Sequence, residues 1–255
     1  MESLFDHLLL FLVSLIANLL SALAGGGAGL LQLPALLFLG LPFSLALATH
    51  KVASVFLGLG AGARHFRSAQ FNLRFILVIL AFGLPGVVVG ANVILAIPDA
   101  IAEIALGVLT LALGIYSVVQ PNLGQIHQFK RQTRSGWLLG GLVLLMIGVL
   151  NGSLTSGTGL FVTLWLIVWF GLDYKTAIAY TLVLVGIFWN GIGAFTLGFQ
   201  GQIQWDWLPA LIVGSFFGGY LGAHLSIIKG NRLVKRGFEV ITVLVGSSLI
   251  LKNFI

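Results

Sequence analysis

The chain has 255 residues, 58% of them hydrophobic and 8% charged, with a net charge of +6. Soluble domains carry roughly 25% charged residues, so this composition describes an integral membrane protein and excludes a soluble enzyme. Cysteine is absent and the five histidines are scattered, which removes disulfides, thiolate chemistry and any cluster with metal-ligand spacing.

The basic residues fall in short loops beside apolar runs, as the positive-inside rule requires, rather than in a patch suited to nucleic acid. Residues 8–24 followed by glycine resemble a signal peptide, with Ala22-Leu23-Ala24 as a cleavage pattern. Glu2 and Asp6 stand where a leader has Lys or Arg, and a similar element recurs at 136–152, so the segment is expected to be retained.

Ten apolar segments follow in order: 5–24, 30–40, 44–63, 73–92, 99–119, 136–151, 160–170, 175–198, 207–228 and 233–251. Most reach the roughly 20 residues of a spanning helix. Segments 30–40 and 160–170 reach about half a ~30 Å core. Period-2 alternation is absent, which predicts helices rather than barrel strands.

The segments form two sets of five. Gly27-Ala28-Gly29-Leu30 pairs with Gly157-Thr158-Gly159-Leu160, and Leu39-Gly40-Leu41 with Phe170-Gly171-Leu172. Gln70, Gly86, Gly90, Ala91, Thr110 and Gly114 pair at one constant offset with Gln202, Gly218, Gly222, Ala223, Thr242 and Gly246. Loop charge reverses between the sets. Arg64, Arg67 and Arg74 face only Asp206 in the equivalent loop, and Asp99 and Glu103 face Lys229, Arg232, Lys235 and Arg236. Opposite bias predicts inverted halves: residues 1–119, a cytoplasmic linker at 120–135 holding Lys130, Arg131 and Arg134, and residues 136–255. Both chain ends are then expected outside the cytoplasm. Each half needs an odd number of crossings, so its first two segments return to their starting side, as two crossings or as a re-entrant hairpin. The short second segment favours the hairpin. The expected fold is an all-α polytopic membrane protein of two inverted five-segment repeats, each a glycine-rich broken hairpin followed by three spanning helices.

Interrupted short segments at matching places in inverted halves point to a transport site. In the first half this is Gly25, Gly26, Gly27 and Gly29, with Gln32 and Asn18 nearby. In the second it is Asn151, Ser153, Thr155, Ser156, Gly157, Thr158 and Gly159. Helices starting after Gly29 and Gly159 would aim N–H groups and positive dipole ends at the tips, which suits an anion. The glycines could instead serve helix crossing, and the hydroxyls could cap the broken helix ends. Thr49-His50-Lys51 places ionisable groups inside a span, where they usually mark a substrate path. Their counterparts near Tyr180, Thr181 and Leu182 are uncharged, and Thr181 joins the candidate set. Six of the seven acidic residues fall in or beside loops, with Glu239 near the start of a helical run. A cationic substrate has no carboxylate to meet it at depth. Walker A, HExxH and Ser/His/Asp patterns are absent, so an enzyme is not expected.

AGGGAGLLQLPALLFLGL followed by ALATHKV, with GTGLFVTL and the later A-x-A pattern, resembles the two half-motifs of the TauE/SafE family of sulfite exporters, also called TSUP. The branch it most resembles reads ALATNK; this chain has His50 there, and Leu182 where a second-half lysine is common. The resemblance covers nearly the whole chain. It implies a multi-pass carrier of the bacterial inner membrane handling small sulfur-containing anions such as sulfite or organosulfonates. The residues and the resemblance together give a secondary transporter of a small anion working by alternating access. No cofactor, catalytic residue or metal is expected. The partners are the anion and the bilayer, with the coupling ion and the oligomeric state left open. A passive anion channel is the alternative in mechanism; an intramembrane enzyme or an assembly factor is the alternative in class.

Overall fold

The computed structural model describes residues 4–66, 71–93, 99–122, 124, 126–155, 157–199 and 203–251. Among these, every regular element is helical. The helices coincide with the ten expected segments: α1 Leu4–Ala24, α2 Gly29–Phe38, α3 Phe43–His65, α4 Leu73–Val93, α5 Asp99–Val119, α6 Arg134–Ser153, α7 Thr158–Phe170, α8 Tyr174–Gly198, α9 Leu208–Lys229 and α10 Asn231–Leu251. By length and apolarity, α1, α3, α4, α6, α8 and α9 are able to cross a membrane. With 10 and 13 residues, α2 and α7 rise only about 15 and 20 Å. Gln70 and Gln202, paired in the sequence, lie outside the described residues.

Helix order follows from small residues that let backbones touch. Gly218 and Gly222 of α9 lie on the carbonyls of Leu15 and Leu19 in α1, while Gly86 and Gly90 of α4 lie on those of Leu145 and Val149 in α6. In both pairs the numbering rises together, so the partners run parallel. A Cβ on any of these glycines would sit 2.0–2.5 Å from the carbonyl oxygen, inside van der Waals contact, which explains why glycine occupies each crossing. Helices α3 and α8 cross in opposite senses: Lys51 meets Gly193, Gly58 meets Gly186 and Gly62 approaches Val183.

Helix α8 is not uniform. Its first turns, Tyr174–Tyr180, and its last, Asn190–Gly198, are α-helical, but Thr181–Trp189 is wound as a π-helix. Such a stretch is rare and widens the helix, changing which residues share a face. An aromatic cluster closes one end of the bundle. Phe75 lies 4.8 Å from Trp137, 5.3 Å from Phe170 and 5.5 Å from Tyr180 between ring centroids. These edge-on and tilted contacts tie α4, α6, α7 and α8 together.

The 120–135 segment is more than a tether. Its backbone N–H groups at Gln128 and Lys130 donate to the carbonyls of Gly171 and Phe170, each at 2.8 Å. The Arg131 guanidinium lies 4.3 Å over the Trp169 ring and donates to the carbonyls of Val168 and Trp169. A cation is thereby set on the negative end of α7.

Candidate functional site

The two glycine-rich breaks meet. Gly25, Gly26 and Gly27 all have positive φ, at 90°, 135° and 96°, a run that only glycine adopts without strain. Gly26 lies directly on Gly159: a Cβ built on it would fall 2.6–2.8 Å from backbone atoms of Gly159 and Leu160. Thr163 of α7 bridges the breaks, its hydroxyl 2.6 Å from the Gly25 carbonyl and 2.9 Å from the Thr181 hydroxyl.

Beside this contact is a narrow cleft with a free volume of about 30 Å³. Its walls include Gly26, Gly27, Gly29, His50, Asn151, Thr155, Thr158, Gly159 and Thr181 from the expected set. Ser21, Ser54, Gly186 and Asn190 also line it and were missed. Two of these had a readable signal: Ser54 is one turn after His50, and Ser21 occupies the position equivalent to Asn151 in the repeat. Asn190 had none, because the π-helical winding brings 181, 185, 186 and 190 to one face, and a regular helical wheel does not.

The starts of α2 and α7 both face the cleft through Gly29, Thr158 and Gly159. Neither has a side-chain cap: Ala28 precedes α2, and Gly157, in the left-handed conformation, precedes α7. The alternative that the 151–158 hydroxyls cap the broken helix ends therefore fails at the start of α7 and holds at the end of α6. Thr155 Oγ1 donates to the Asn151 carbonyl at 2.9 Å, Thr158 Oγ1 to the Thr155 carbonyl at 2.8 Å, and Ser153 Oγ to the Val149 carbonyl at 3.0 Å. Asn151 Nδ2 donates to Thr158 Oγ1 at 2.8 Å. These hydroxyl protons satisfy the carbonyls at the end of α6 and of the turn after it. Backbone carbonyls of the turns accept from several of the first N–H groups, Leu31 and Gln32 on Ala28, Thr158 on Thr155 and Leu160 on Gly157, and the cleft meets the positive ends of both helices.

Lys51 is fully buried but is not part of the cleft wall. Its Nζ donates to the Asn151 carbonyl at 2.8 Å, with Asn151 Oδ1 at 3.4 Å. The ammonium thus caps the negative end of α6. Thr49 faces elsewhere: its hydroxyl donates to the Leu45 carbonyl and accepts from Gln204 N–H. Gly25, Gln32, Ser153 and Gly157 stand behind the cleft rather than in its wall, and Ser156 lies outside the described residues.

Behind His50 is a buried polar chain. His50 Nδ1 is 2.9 Å from Gln32 Oε1 and Nε2 is 3.1 Å from Ser54 Oγ. Gln32 Nε2 reaches Ser14 Oγ at 3.2 Å, and Asn18 Nδ2 reaches Ser215 Oγ at 3.0 Å. Two groups in the cleft wall hold unpartnered buried oxygens, Ser21 Oγ and Asn190 Oδ1. Among the described residues, none of the wall is acidic and no metal-binding cluster occurs.

Comparison with known proteins gives the family. The TauE/SafE sulfite exporter model matches residues 10–249. The chain belongs to that family. A probable membrane transporter protein of Haemophilus influenzae is 34% identical over 228 residues, covering 89% of this chain and 88% of that protein. The probable membrane transporter protein ORF9 of a Sinorhizobium species is 29% identical, covering 95% and 92%. YfcA of Escherichia coli, also a probable membrane transporter protein, is 26% identical, covering 94% and 88%. No solved structure is significantly similar. With six helices among the described residues able to cross a bilayer, this member of the TauE/SafE family is a multi-pass membrane protein of a transporter family.

Proposed function

We propose that the protein is a secondary carrier of a small anion, a sulfur oxyanion or an organosulfonate, in a bacterial inner membrane. The observation that carries this reading is the convergence of two uncapped helix starts on one cleft without a carboxylate in its described wall. The positive dipole ends of the two helices favour an oxyanion and disfavour a cation. Ser21, Ser54 and Asn190 add polar groups from α1, α3 and α8. The Thr155 and Thr158 hydroxyls position the second tip instead of binding.

Lys51 acts at one remove. The negative end of α6, worth about half a unit charge, lies behind the cleft. The Lys51 ammonium on the Asn151 carbonyl neutralises it, so an arriving anion meets a positive field.

We read the halves, 1–119 and 136–255 joined by a cytoplasmic linker, as inverted repeats. Supporting this are the parallel pairs α1–α9 and α4–α6, which exchange equivalent helices, and the antiparallel pair α3–α8, which joins equivalent ones. The short α2 and α7 suit re-entrant hairpins with tips at mid-depth, and rocking of the halves about those tips would give alternating access.

The test is uptake of labelled sulfite, sulfate and a sulfonate by proteoliposomes of the full chain. Saturable uptake with counterflow is expected for at least one of them. Uptake without saturation or counterflow would make it a channel. No movement of any of the three above empty vesicles would end the transport reading.

A further inference from the structure

We propose that the carrier takes up a proton with its anion, that His50 binds this proton, and that the Ser54 hydroxyl transmits its presence to the anion. The inference rests on the carrier reading and adds a co-substrate to it.

The argument begins with which hydrogen each group holds. Ser14 Oγ donates to the Leu211 carbonyl at 2.7 Å, so its one proton is spent and it accepts from its other neighbours. The Gln32 atom 3.2 Å from it is therefore the amide nitrogen. The Gln32 oxygen then faces His50 Nδ1 at 2.9 Å, with Asn18 Nδ2 also directed at it. A carboxamide oxygen only accepts, so Nδ1 carries a hydrogen. In the neutral ring Nε2 is then a bare lone pair, and the Ser54 hydroxyl 3.1 Å away donates to it. The chain from α1, α2 and α9 thus fixes one tautomer and aims the basic nitrogen at the residue that lines the cleft.

A proton arriving from the cleft can bind only at Nε2. The new Nε2–H must donate, and Ser54 Oγ, at hydrogen-bond distance, becomes its acceptor. The Ser54 hydrogen leaves the ring and turns to the cleft, where it donates to the anion. Loss of the proton reverses each step, and no bond other than N–H changes. An anion in the cleft favours the imidazolium and the imidazolium favours the anion, so the two load together.

The other ionisable groups around His50 are few. Lys51 adjoins it on α3, its ammonium held by the Asn151 carbonyl. On the elements packed against α3, Tyr180 of α8 is directed to Asn72, and His224 of α9 receives Arg64 at the far end of α3. Asp6 and His7 of α1, and Asp206 and Lys229 at the ends of α9, lie at helix ends far along the chain from Asn18 and Ser215. Among the described residues of the cleft wall there is no carboxylate to hold the proton instead.

The experiment uses proteoliposomes of the full chain and a labelled sulfonate whose own acid is fully ionised, so that no proton rides on the substrate. With the membrane potential clamped and the outside one pH unit more acidic, one proton per anion gives about tenfold accumulation inside. A trapped pH dye should report proton entry with the sulfonate. His50→Gln should accumulate close to parity with the outside while still showing counterflow at a reduced rate. Ser54→Ala should lose the fall in KM that acidification produces in the unaltered protein. Counterflow without gradient-driven accumulation in the unaltered protein would overturn the inference and leave the carrier reading standing. Tenfold accumulation retained by His50→Gln would overturn it as well. Absence of counterflow in the unaltered protein with sulfite, sulfate and the sulfonate alike would overturn both. Should His50→Gln fail to fold, the dye stoichiometry and Ser54→Ala decide the matter.

Discussion

The two tips occupy equivalent places in the chain and are built by different means. The first, Gly25–Gly29, is shaped by its backbone, with three successive positive φ values and no side-chain cap, and takes one side-chain bond from outside, from Thr163 to the Gly25 carbonyl. The second, Asn151–Gly159, is held by side chains: Thr155, Thr158 and Asn151 bond within the turn, and Lys51 reaches in from α3. The difference divides the work at the cleft. One tip supplies close backbone approach, and the other supplies a fixed frame with its negative helix end neutralised. Neither forms the cleft alone.

The largest effect should come from the point where the tips touch. Gly26→Ala would place a Cβ 2.6–2.8 Å from the Gly159–Leu160 backbone at a φ of 135°. Strain and overpacking together cost roughly 2–6 kcal/mol. Uptake should vanish, and the melting temperature in detergent should fall well below that of Gly40→Ala. Gly40 has a φ of 95° with nothing within 4 Å of its Cβ position, so that control carries strain without collision. Equal melting temperatures for the two variants would show that the tips do not bear on one another.

Lys51→Met separates frame from fold. The methionine fills similar space and removes the desolvation cost of a buried ammonium, a replacement that is often neutral or stabilising. The melting temperature should therefore hold or rise. The end of α6 would face the cleft without compensation, weakening anion affinity about tenfold, in line with a helix-end charge worth up to ~2 kcal/mol. A KM series over anion concentration measures this. An unchanged KM would assign Lys51 to structure alone.

The ten helical segments and the positions of the two breaks were legible because glycine spacing and apolar runs are written locally. The direction of side chains was not. Thr155, Thr158 and Ser153 read as donors to a ligand, yet backbone carbonyls three or four residues behind them take their protons. Lys51 read as an anion ligand and instead meets a carbonyl a hundred residues away. Asn190 entered the wall through a π-helical stretch that apolar periodicity does not announce. In each case a backbone group, invisible in composition, decided where the side chain goes.

A smaller effect is expected at the bridge between tips. Thr163→Val keeps the shape and removes the hydroxyl that donates to Gly25 and contacts Thr181. The loss of a neutral hydrogen bond costs about 1 kcal/mol. The Gly25 carbonyl loses that donor, so transport should slow several-fold with a modest fall in melting temperature. If the first tip is self-sufficient, the variant should transport at the original rate.

The halves also differ at the far ends of their short helices, and this gives the smallest effect. The end of α2 at Gly40 is open, whereas the end of α7 is bound to the linker through Gly171, and the next turn is fastened by Asp173. Burial alone would raise the Asp173 carboxyl. The Thr176 hydroxyl at 2.8 Å and N–H at 3.1 Å, and His127 at 3.0 Å, outweigh it and hold the group below the usual carboxylate range. A lowered carboxyl favours the folded state when ionised, so its contribution is present at neutral pH and fades as pH falls through the lowered value. Asp173→Asn keeps a capping oxygen and removes the charge. It should cost less than about 1 kcal/mol at pH 7 because the site is partly solvated. The gap in thermal unfolding should close as the pH is taken below the usual aspartate range. A gap that stayed constant with pH would mean the clamp on α7 depends on shape, and that charge is not what distinguishes the two helix ends.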